Sequence, residues 1–341
     1  MKLGTRNLEL ETWNLELGTQ NYRMMKVIDI LNSSKAPFAS FELVPPLKGS
    51  EVTKLYNSID PLMEFHPPFI NVTCHRDEIE YTPNSDGSYT KLTLAKRPGT
   101  IAIVAAIMRR YDVQIVPHVI CGGASKSKVE SELLDLHFLG IHNVVALRGD
   151  AIPGQRFFQP EPDGFAHSDE LVAMISNLNR GSYLDPTVKD GVATDFCVGV
   201  AAYPEKHFEA ANLETDIQCL KRKVDAGADY IITQMFFDNE KFFDFIEKCR
   251  KAGITVPIIP GLKPMSSPRQ IDLLPRSFHI DIPQELVNRM RKTKTAAEAY
   301  QVGIDWCIQQ SRDLLSRGVP AIHYYTMAKT DNVVEVVRTV F

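Results

Sequence analysis

The stretch Val144–Asp150 joins an apolar segment to groups that can do chemistry, because it ends in Arg148, Gly149 and Asp150. A buried strand that stops at a cation and a carboxylate presents both charges at the edge of a sheet, where they can meet a ligand. Other polar residues occupy the same position at the ends of further apolar segments: Glu42, Thr73, His118, Tyr203 and Gln234. Together these residue types could move a proton, hold a cofactor and stabilise a developing charge.

The elements that must bring these residues together alternate regularly from Pro37 onward. The sequence predicts apolar strands near 37–44, 69–74, 115–120, 143–148, 196–203, 230–237, 256–261 and 321–327, separated by helices. Glycine marks the predicted helix ends at Gly227, Gly253 and Gly318. The pattern predicts a single-domain α/β fold, the (β/α)8 TIM barrel, whose active site lies at the carboxyl ends of the strands.

Composition limits the classes of partner. The 341 residues include 38 basic and 42 acidic side chains, for a formal net charge of -4, and no run of lysine or arginine suggests a nucleic acid or an anionic membrane. The longest apolar stretch, Ile101–Met108, is too short to span a bilayer. The 6 cysteines are scattered without Cys-x-x-Cys pairs, which favours reduced thiols in a cytoplasm. We therefore expect a cytoplasmic protein with a small-molecule partner.

Familiar cofactor and metal motifs are absent from the sequence. No Gly-x-Gly-x-x-Gly follows a strand, and the Walker-like spacing of Gly149 and Gly154 continues with Gln155 and Arg156. The 9 histidines lack the His-x-x-x-His and His-Glu-x-x-His spacings of zinc sites. We therefore expect no metal, and a dinucleotide must be held without a Rossmann motif.

Residues 1–24 differ from the rest of the chain, because Asn7–Glu11 nearly recurs as Asn14–Leu17. They lack the architecture of a signal peptide and are predicted to form a poorly ordered extension before a catalytic domain at 25–341, with an amphipathic docking helix as the alternative.

The connection 151–195 contains a predicted helix over 169–179 and is long enough to form a lid above the site.

Each candidate also has a purely structural interpretation. Glu42 is either a salt-bridged structural carboxylate or a general acid whose pKa is raised by burial. Asp150 could cap the following turn or pair with Arg148 instead of contacting a ligand. Gln234 could be a satisfied core amide, and a lone histidine such as His118 is more often structural than a ligand. The residue pattern alone leaves these alternatives open.

Ordered motifs from about Pro37 to Thr326 resemble those of the methylenetetrahydrofolate reductases. The motifs are Ser40-Phe41-Glu42, Val72-Thr73, Pro117-His118, Leu147-Arg148-Gly149-Asp150, Ala202–His207, Leu220–Ala228 and Ile232–Asp238. The resemblance implies a barrel that binds FAD noncovalently and reduces 5,10-methylenetetrahydrofolate to 5-methyltetrahydrofolate with NADH or NADPH, supplying methyl groups for methionine synthesis. It implies alternating half-reactions in one cleft, and we expect a homo-oligomer.

The resemblance assigns roles residue by residue. Glu42 matches the proton donor to the folate N10, and Asp150 matches the carboxylate that stabilises the resulting cationic iminium. Gln234 matches a third folate contact that also serves the nicotinamide, together with Thr73. The residues that match the FAD site are Thr73, His118, Arg148, Gly149, Asp150, Tyr203, His207, Asp216, Arg222 and Lys223. Without the resemblance, adjacent Arg222 and Lys223 would indicate only a solvated helix face.

The chain departs from the family pattern in a few places. Tyr325–Lys329 reads Tyr-Thr-Met-Ala-Lys where the family has Tyr-Thr-Leu-Asn-Arg, Pro268 stands where related bacterial enzymes carry an aromatic that covers the site, and Cys219 replaces a polar residue. Because the chain ends soon after the last predicted strand, we do not expect an appended regulatory domain or inhibition by adenosylmethionine. Alternatives of other classes are a folate-dependent methyltransferase, which needs no flavin, and a noncatalytic folate-binding protein.

Overall fold

The computed structural model describes residues 25–152, 154–327 and 329–341, so the predicted extension at 1–24 lies outside the described residues. The strands are β1 (Phe38–Leu43), β2 (Phe69–Val72), β3 (Glu78–Pro83), β4 (Tyr89–Leu94), β5 (Gln114–Ile120), β6 (Asn143–Leu147), β7 (Cys197–Ala202), β8 (Tyr230–Met235), β9 (Ile258–Leu262) and β10 (Ala321–Tyr325). The helices are α1 (Val27–Ser33), α2 (Val52–Ile59), α3 (Thr100–Arg110), α4 (Lys126–Phe138), α5 (Ser168–Leu178), α6 (Leu213–Asp225), α7 (Asn239–Lys251), α8 (Gln270–Phe278), α9 (Gln284–Arg291), α10 (Ala296–Ser316) and α11 (Asp331–Val340), and a 3-10 helix spans Asp60–Phe65.

Parallel strands close into a barrel in the order β1, β10, β9, β8, β7, β6, β5, β2. The strands are nearly continuous apolar runs because helices cover their outer faces while their inner side chains fill the interior. Every residue of β2 and of β9 is buried. Each predicted strand is present, with small differences at its ends, and the predicted (β/α)8 TIM barrel is confirmed.

The short helix α1 closes the amino end of the barrel. Its Val27 and Leu31 pack against interior residues that include Phe69 and Val116. The side chain of the fully buried Asn143 accepts a hydrogen bond from Val27 N at 2.7 Å and donates to Met25 O at 3.1 Å. In the described part of the chain, α1 thus covers the amino end, and the opposite, carboxyl end is left open to ligands.

The predicted helix ends are confirmed at the glycines that precede strands. Gly227, Gly253 and Gly318 have φ of 119°, 78° and 85°, in the left-handed region that suits glycine. The helix predicted over 169–179 is observed as α5, in the long connection between β6 and β7. No helix in the described ranges is long and apolar enough to cross a bilayer.

The antiparallel hairpin of β3 and β4 was not predicted. It follows β2 and exposes almost all of its residues, including Tyr81 and Tyr89. The backbone of Asn84 holds the turn. The carbonyl oxygen of Asn84 accepts a hydrogen bond from Gly87 N, and the N–H of Asn84 donates to Ser88 O. An Asp-Gly turn between two polar, alternating segments could have indicated the hairpin.

Candidate active site

The predicted site residues that lie in strands or directly after them gather at the carboxyl end of the barrel. Glu42 lies in β1, Thr73 follows β2, His118 lies in β5, Arg148 to Asp150 follow β6, Tyr203 follows β7 and Gln234 lies in β8. Because the strands are parallel and the barrel is closed, the ends of these strands surround one opening. The strand register places Glu42 beside Asn71 of β2 and Tyr325 of β10.

Glu42 is a protonated carboxylic acid near neutral pH. Its side chain is 16 % exposed, and burial raises its pKa from 4.5 to about 8. Within the described residues, the basic atom inside salt-bridge range is His118 Nε2, 3.7 Å from Glu42 Oε2. Burial, together with the charge of His75, lowers the pKa of His118 to about 3, so this contact joins two neutral groups and is not an ion pair.

Beneath Glu42, a buried polar layer crosses the barrel interior. Asn71 Nδ2 lies 3.3 Å from His118 Nε2, which accepts this hydrogen bond when the ring proton is on Nδ1. Ser40 Oγ lies 2.9 Å from His323 Nδ1. Asn71 Oδ1 and His323 Nε2 are buried without a hydrogen-bond partner in the described part of the chain. Since buried polar atoms usually have partners, these two atoms suit polar groups of a ligand or water.

Asp150 lies in a different environment, because it is exposed at the rim. The preceding Gly149 has a φ of 84°, which turns the chain away from the end of β6. Arg148 makes a bidentate pair with Glu209, at 2.6 and 2.8 Å, and its guanidinium lies 5.2 Å from the ring centroid of Phe158. Arg148 therefore pairs with Glu209 and leaves the carboxylate of Asp150 at the rim.

The loop after β7 joins three further predicted cofactor residues. The rings of Tyr203 and His207 meet edge to face with centroids 4.7 Å apart. The carboxylate of Asp216 accepts from His207 N at 2.9 Å. Burial, reinforced by the charge of Asp150, raises the pKa of Tyr203 to about 12, so its hydroxyl remains a hydrogen-bond donor.

The two adjacent cations of α6 differ in their surroundings. Lys223 Nζ donates to Ala201 O at 2.9 Å, and burial lowers the pKa of this lysine. Arg222 is more exposed and donates from Nε to Asp169 at 3.2 Å and from Nη2 to Cys219 Sγ at 3.4 Å. Lys223 therefore reaches the end of β7, whereas Arg222 lies at the surface beside α5.

His75 is a neighbour of the site that the sequence pattern did not indicate. Its Nε2 lies 2.9 Å from Thr73 Oγ1. Burial and the positive charge of Arg97 lower the pKa of His75, while the charge of Asp150 acts in the opposite direction. A histidine two positions beyond a strand-end threonine is the signal that could have identified it.

Across the described ranges, no cluster of three or more His, Cys, Asp or Glu residues could hold a metal.

Gln234 lines a narrow cleft and is not enclosed in the core. Its Oε1 accepts from Met235 N at 2.9 Å. The residues around the cleft come from the loop after β7, from β8 and from the end of α8: Tyr203, Pro204, Glu205, Lys206, Gln234, Met235, Phe278, His279 and Ile280. Glu205 belongs to the Ala202–His207 motif but was not predicted as a site residue, and the segment after α8 was not predicted either. Nothing in the sequence indicates that these distant loops meet.

The end of β10 supports the site through hydrogen bonds to neighbouring strands. Tyr325 donates from its hydroxyl to Thr233 O at 2.7 Å, and Thr326 donates from Oγ1 to Glu42 O at 2.7 Å. These bonds fix the ends of β8 and β1, and hence the backbone on which Glu42 and Gln234 are held.

Comparisons with known proteins agree with the motifs. The family model described as methylenetetrahydrofolate reductase matches residues 26–340. The chain is 32 % identical over 309 residues to the 5,10-methylenetetrahydrofolate reductase of Escherichia coli, covering 89 % of this chain and 92 % of that protein. It is 31 % identical over 290 residues to methylenetetrahydrofolate reductase 1 of Schizosaccharomyces pombe, covering 84 % of this chain but only 43 % of that protein.

Among solved structures, the fold is similar to that of an uncharacterised protein from Clostridium thermocellum that binds two copies of 5-methyl-5,6,7,8-tetrahydrofolic acid. The TM-score is 0.55 at 14 % sequence identity, covering 92 % of this chain and 97 % of that chain. At this level of identity the match supports the fold alone.

Proposed function

Because the chain belongs to the methylenetetrahydrofolate reductase family, we propose that it reduces 5,10-methylenetetrahydrofolate to 5-methyltetrahydrofolate, with noncovalently bound FAD as cofactor and NADH or NADPH as electron donor. The observation that carries the proposal is the place of Glu42, a largely buried carboxyl group at the carboxyl end of the barrel, 3.7 Å from a neutral imidazole. Burial there raises its pKa to about 8, so that it keeps a proton at neutral pH. Opening the methylene bridge of the folate needs such an acid, whereas binding the folate does not.

The side chains around the opening fit a flavin dinucleotide. Lys223 is a half-buried cation without an ion pair among the described residues, and the charges of Lys223 and Arg148 are close enough to affect the pKa of His207. Positive charge suits a diphosphate. Asn71 Oδ1 and two guanidinium nitrogens of Arg76 are buried without partners in the described chain and are available to polar atoms of a bound group. When bound, FAD would accept a hydride from the nicotinamide and pass it to the folate.

Glu42 would donate its proton to N10 of the folate, so that the bond between N10 and the methylene carbon breaks and an iminium forms at N5. The neutral His118 supports this role, because a cationic imidazole 3.7 Å away would favour ionisation of Glu42 and lower its pKa. The hydrogen bond from Thr326 to Glu42 O holds the donor's backbone in place.

Asp150 would stabilise the positive charge that this proton transfer creates. It follows β6, which β2 and β5 separate from β1 in the barrel order, so the acid and the carboxylate stand on different parts of the rim. Because Arg148 is paired with Glu209, the negative charge of Asp150 is left to act on a ligand.

Gln234 would bind the pterin in one half-reaction and the nicotinamide in the other. Its Oε1 is held by Met235 N, which fixes the amide plane while the amide nitrogen remains a donor. A single cleft at this residue supports alternating occupation, in which the oxidised nicotinamide leaves before the folate enters.

Anaerobic spectroscopy of the purified full chain tests the proposal. We expect a yellow protein that releases FAD on acid precipitation, is bleached by NADH or NADPH and regains its colour when 5,10-methylenetetrahydrofolate is added. Tetrahydrofolate, which lacks the methylene bridge, is the matched control and should not restore the colour. A colourless protein that takes up no FAD on incubation would overturn the proposal.

A further inference from the structure

The cleft beside Gln234 has a wall whose residues have no role in the proposed chemistry. The segment 278–281, which begins at the last residue of α8, contributes Phe278, His279 and Ile280 to the lining, together with Tyr203 from the loop after β7. Phe278 and Ile280 are largely buried, while His279 lies at the exposed edge. This segment, called the wall segment below, gives one side of the cleft an apolar and aromatic surface.

Glu205 joins the wall segment to the loop after β7 through hydrogen bonds. Its carboxylate accepts from Asp281 N at 2.8 Å and from Lys241 Nζ at 3.0 Å. Lys241 also pairs with the carboxylate of Asp281. The side chain of Glu205 is only 7 % exposed, whereas that of Asp281 is 77 % exposed. The buried carboxylate therefore holds backbone from two distant loops at a fixed separation across the cleft.

A second contact joins the two sides at the surface. The rings of Phe208 and His279 are stacked, with centroids 4.4 Å apart and planes 24° from parallel. Phe208 is 42 % exposed, so burial of its own surface does not explain its position. His279 and Lys206, on facing sides, both have left-handed backbones, with φ of 54° and 90°. His279 ends α8, where a left-handed residue is common, whereas Lys206 lies in a loop, where such strain often marks a functional segment.

We propose that the wall segment binds the flat ring that docks at Gln234, that Glu205 positions this wall, and that the stack of Phe208 on His279 covers the cleft. The inference rests on the proposed function, because the ring is the pterin of the folate or the nicotinamide of the electron donor. The pyrimidine part of the reduced pterin and the nicotinamide ring are both flat, carry an amide edge that Gln234 can recognise, and have faces that suit apolar and aromatic side chains. Phe208 and His279 are thus specificity-determining residues, and Glu205 is a positioning residue.

Stopped-flow measurement of the two half-reactions with Phe208→Ala tests whether the stack of Phe208 on His279 covers the cleft. The apparent Kd of NADH or NADPH comes from the concentration dependence of flavin bleaching, and that of the folate from the concentration dependence of reoxidation. Loss of an aromatic contact should raise at least one of these Kd values by about three- to tenfold, with limiting rates and flavin content close to those of the wild type. Phe138→Ala is the matched control, because Phe138 is 88 % exposed and meets His137 edge to face at the end of α4.

Glu205→Gln tests the positioning role, since the amide keeps the size of the side chain but removes the charge that faces Lys241. It should shift the same Kd values in the same direction. Glu240→Gln is its control, because Glu240 is 78 % exposed and pairs with Arg317 away from the cleft.

A rise in the Kd of the nicotinamide nucleotide, of the folate or of both supports the inference and shows which of the two ligands contacts the wall segment. Wild-type Kd values in Phe208→Ala and Glu205→Gln, or a loss of flavin with no change in Kd, would overturn it. Failure of the proposed function is distinguishable, because the wild-type protein itself would then show no bleaching and reoxidation.

Discussion

The two ends of the barrel differ in what their buried polar side chains contact. At the amino end, the side chain of Asn143 satisfies both Val27 N and Met25 O. At the carboxyl end, Glu42 has a 3.7 Å contact with a neutral imidazole, and Asn71 Oδ1 has no partner among the described residues. Buried atoms without a partner among the described residues occur at both ends, since Tyr230 Oη at the start of β8 is one of them. Asn143 holds α1 over the closed end, whereas Glu42 and Asn71 lie at the open end, where a ligand can reach them.

Residues with a left-handed backbone occur at both ends of the barrel. The turns before β8, β9 and β10 place Gly227, Gly253 and Gly318 at left-handed φ, where glycine has no side chain to clash. Lys206 and Met327, which follow β7 and β10, have φ of 90° and 45° although both carry side chains. This strain is not confined to the opening, because His66, which precedes β2 at the closed end, has a φ of 46°. At Lys206 it lies in the loop that lines the cleft, where backbone strain can position ligand contacts.

The largest effect is expected from Glu42→Gln. The amide keeps the size of the side chain but cannot donate a proton, so reoxidation of the flavin by methylenetetrahydrofolate should slow by about 10²–10⁴-fold. Bleaching by NADH or NADPH needs no proton donor and should be nearly unchanged. Stopped-flow spectra of the separate half-reactions measure both effects in one preparation.

Reoxidation at the wild-type rate would remove Glu42 as the acid, and loss of the flavin would instead indicate a structural role. The variant should also be at least as stable as the wild type at pH 8. Because the pKa of Glu42 is raised from 4.5 to about 8 in the folded protein, the native state binds this proton more tightly, and the free energy of unfolding falls as the pH rises through that window.

The pH dependence of the half-reactions should show a smaller effect, which also comes from the proton on Glu42. An acid with a pKa of about 8 works only while it is protonated, so the rate of reoxidation by the folate should fall as the pH rises through about 8. Well above the pKa, the expected decrease is about tenfold per pH unit. Flavin bleaching should lack this decrease, and so should the residual folate reaction of Glu42→Gln. A flat profile to pH 9 in the wild type would contradict the raised pKa.

The sequence predicts the barrel well because parallel strands covered on both faces must be apolar runs, and glycines such as Gly227 mark the helix ends. It also predicts which side chains reach the opening, since strand ends are local features. Contacts between residues of different loops, in contrast, join parts of the chain that are far apart in the sequence. The pairing of Arg148 with Glu209, and the bond from Asp281 to Glu205, depend on how distant loops meet in the closed barrel.

The smallest effect on catalysis is expected from Asn143→Ala at the closed end. The change removes two hydrogen bonds that hold the start of α1 and leaves Val27 N buried without its acceptor. The free energy of unfolding should fall by about 1–3 kcal/mol, measured by denaturant titration, while both half-reactions keep their wild-type rates at 25 °C. Asp195→Asn is the matched control: it removes the ion pair with Lys26 at the same helix, but Asp195 is 66 % exposed, so the expected change is about 0–1 kcal/mol. Slower reoxidation in Asn143→Ala would show that the closed end also shapes the site, and the separation between a stabilising end and a reactive end would not hold.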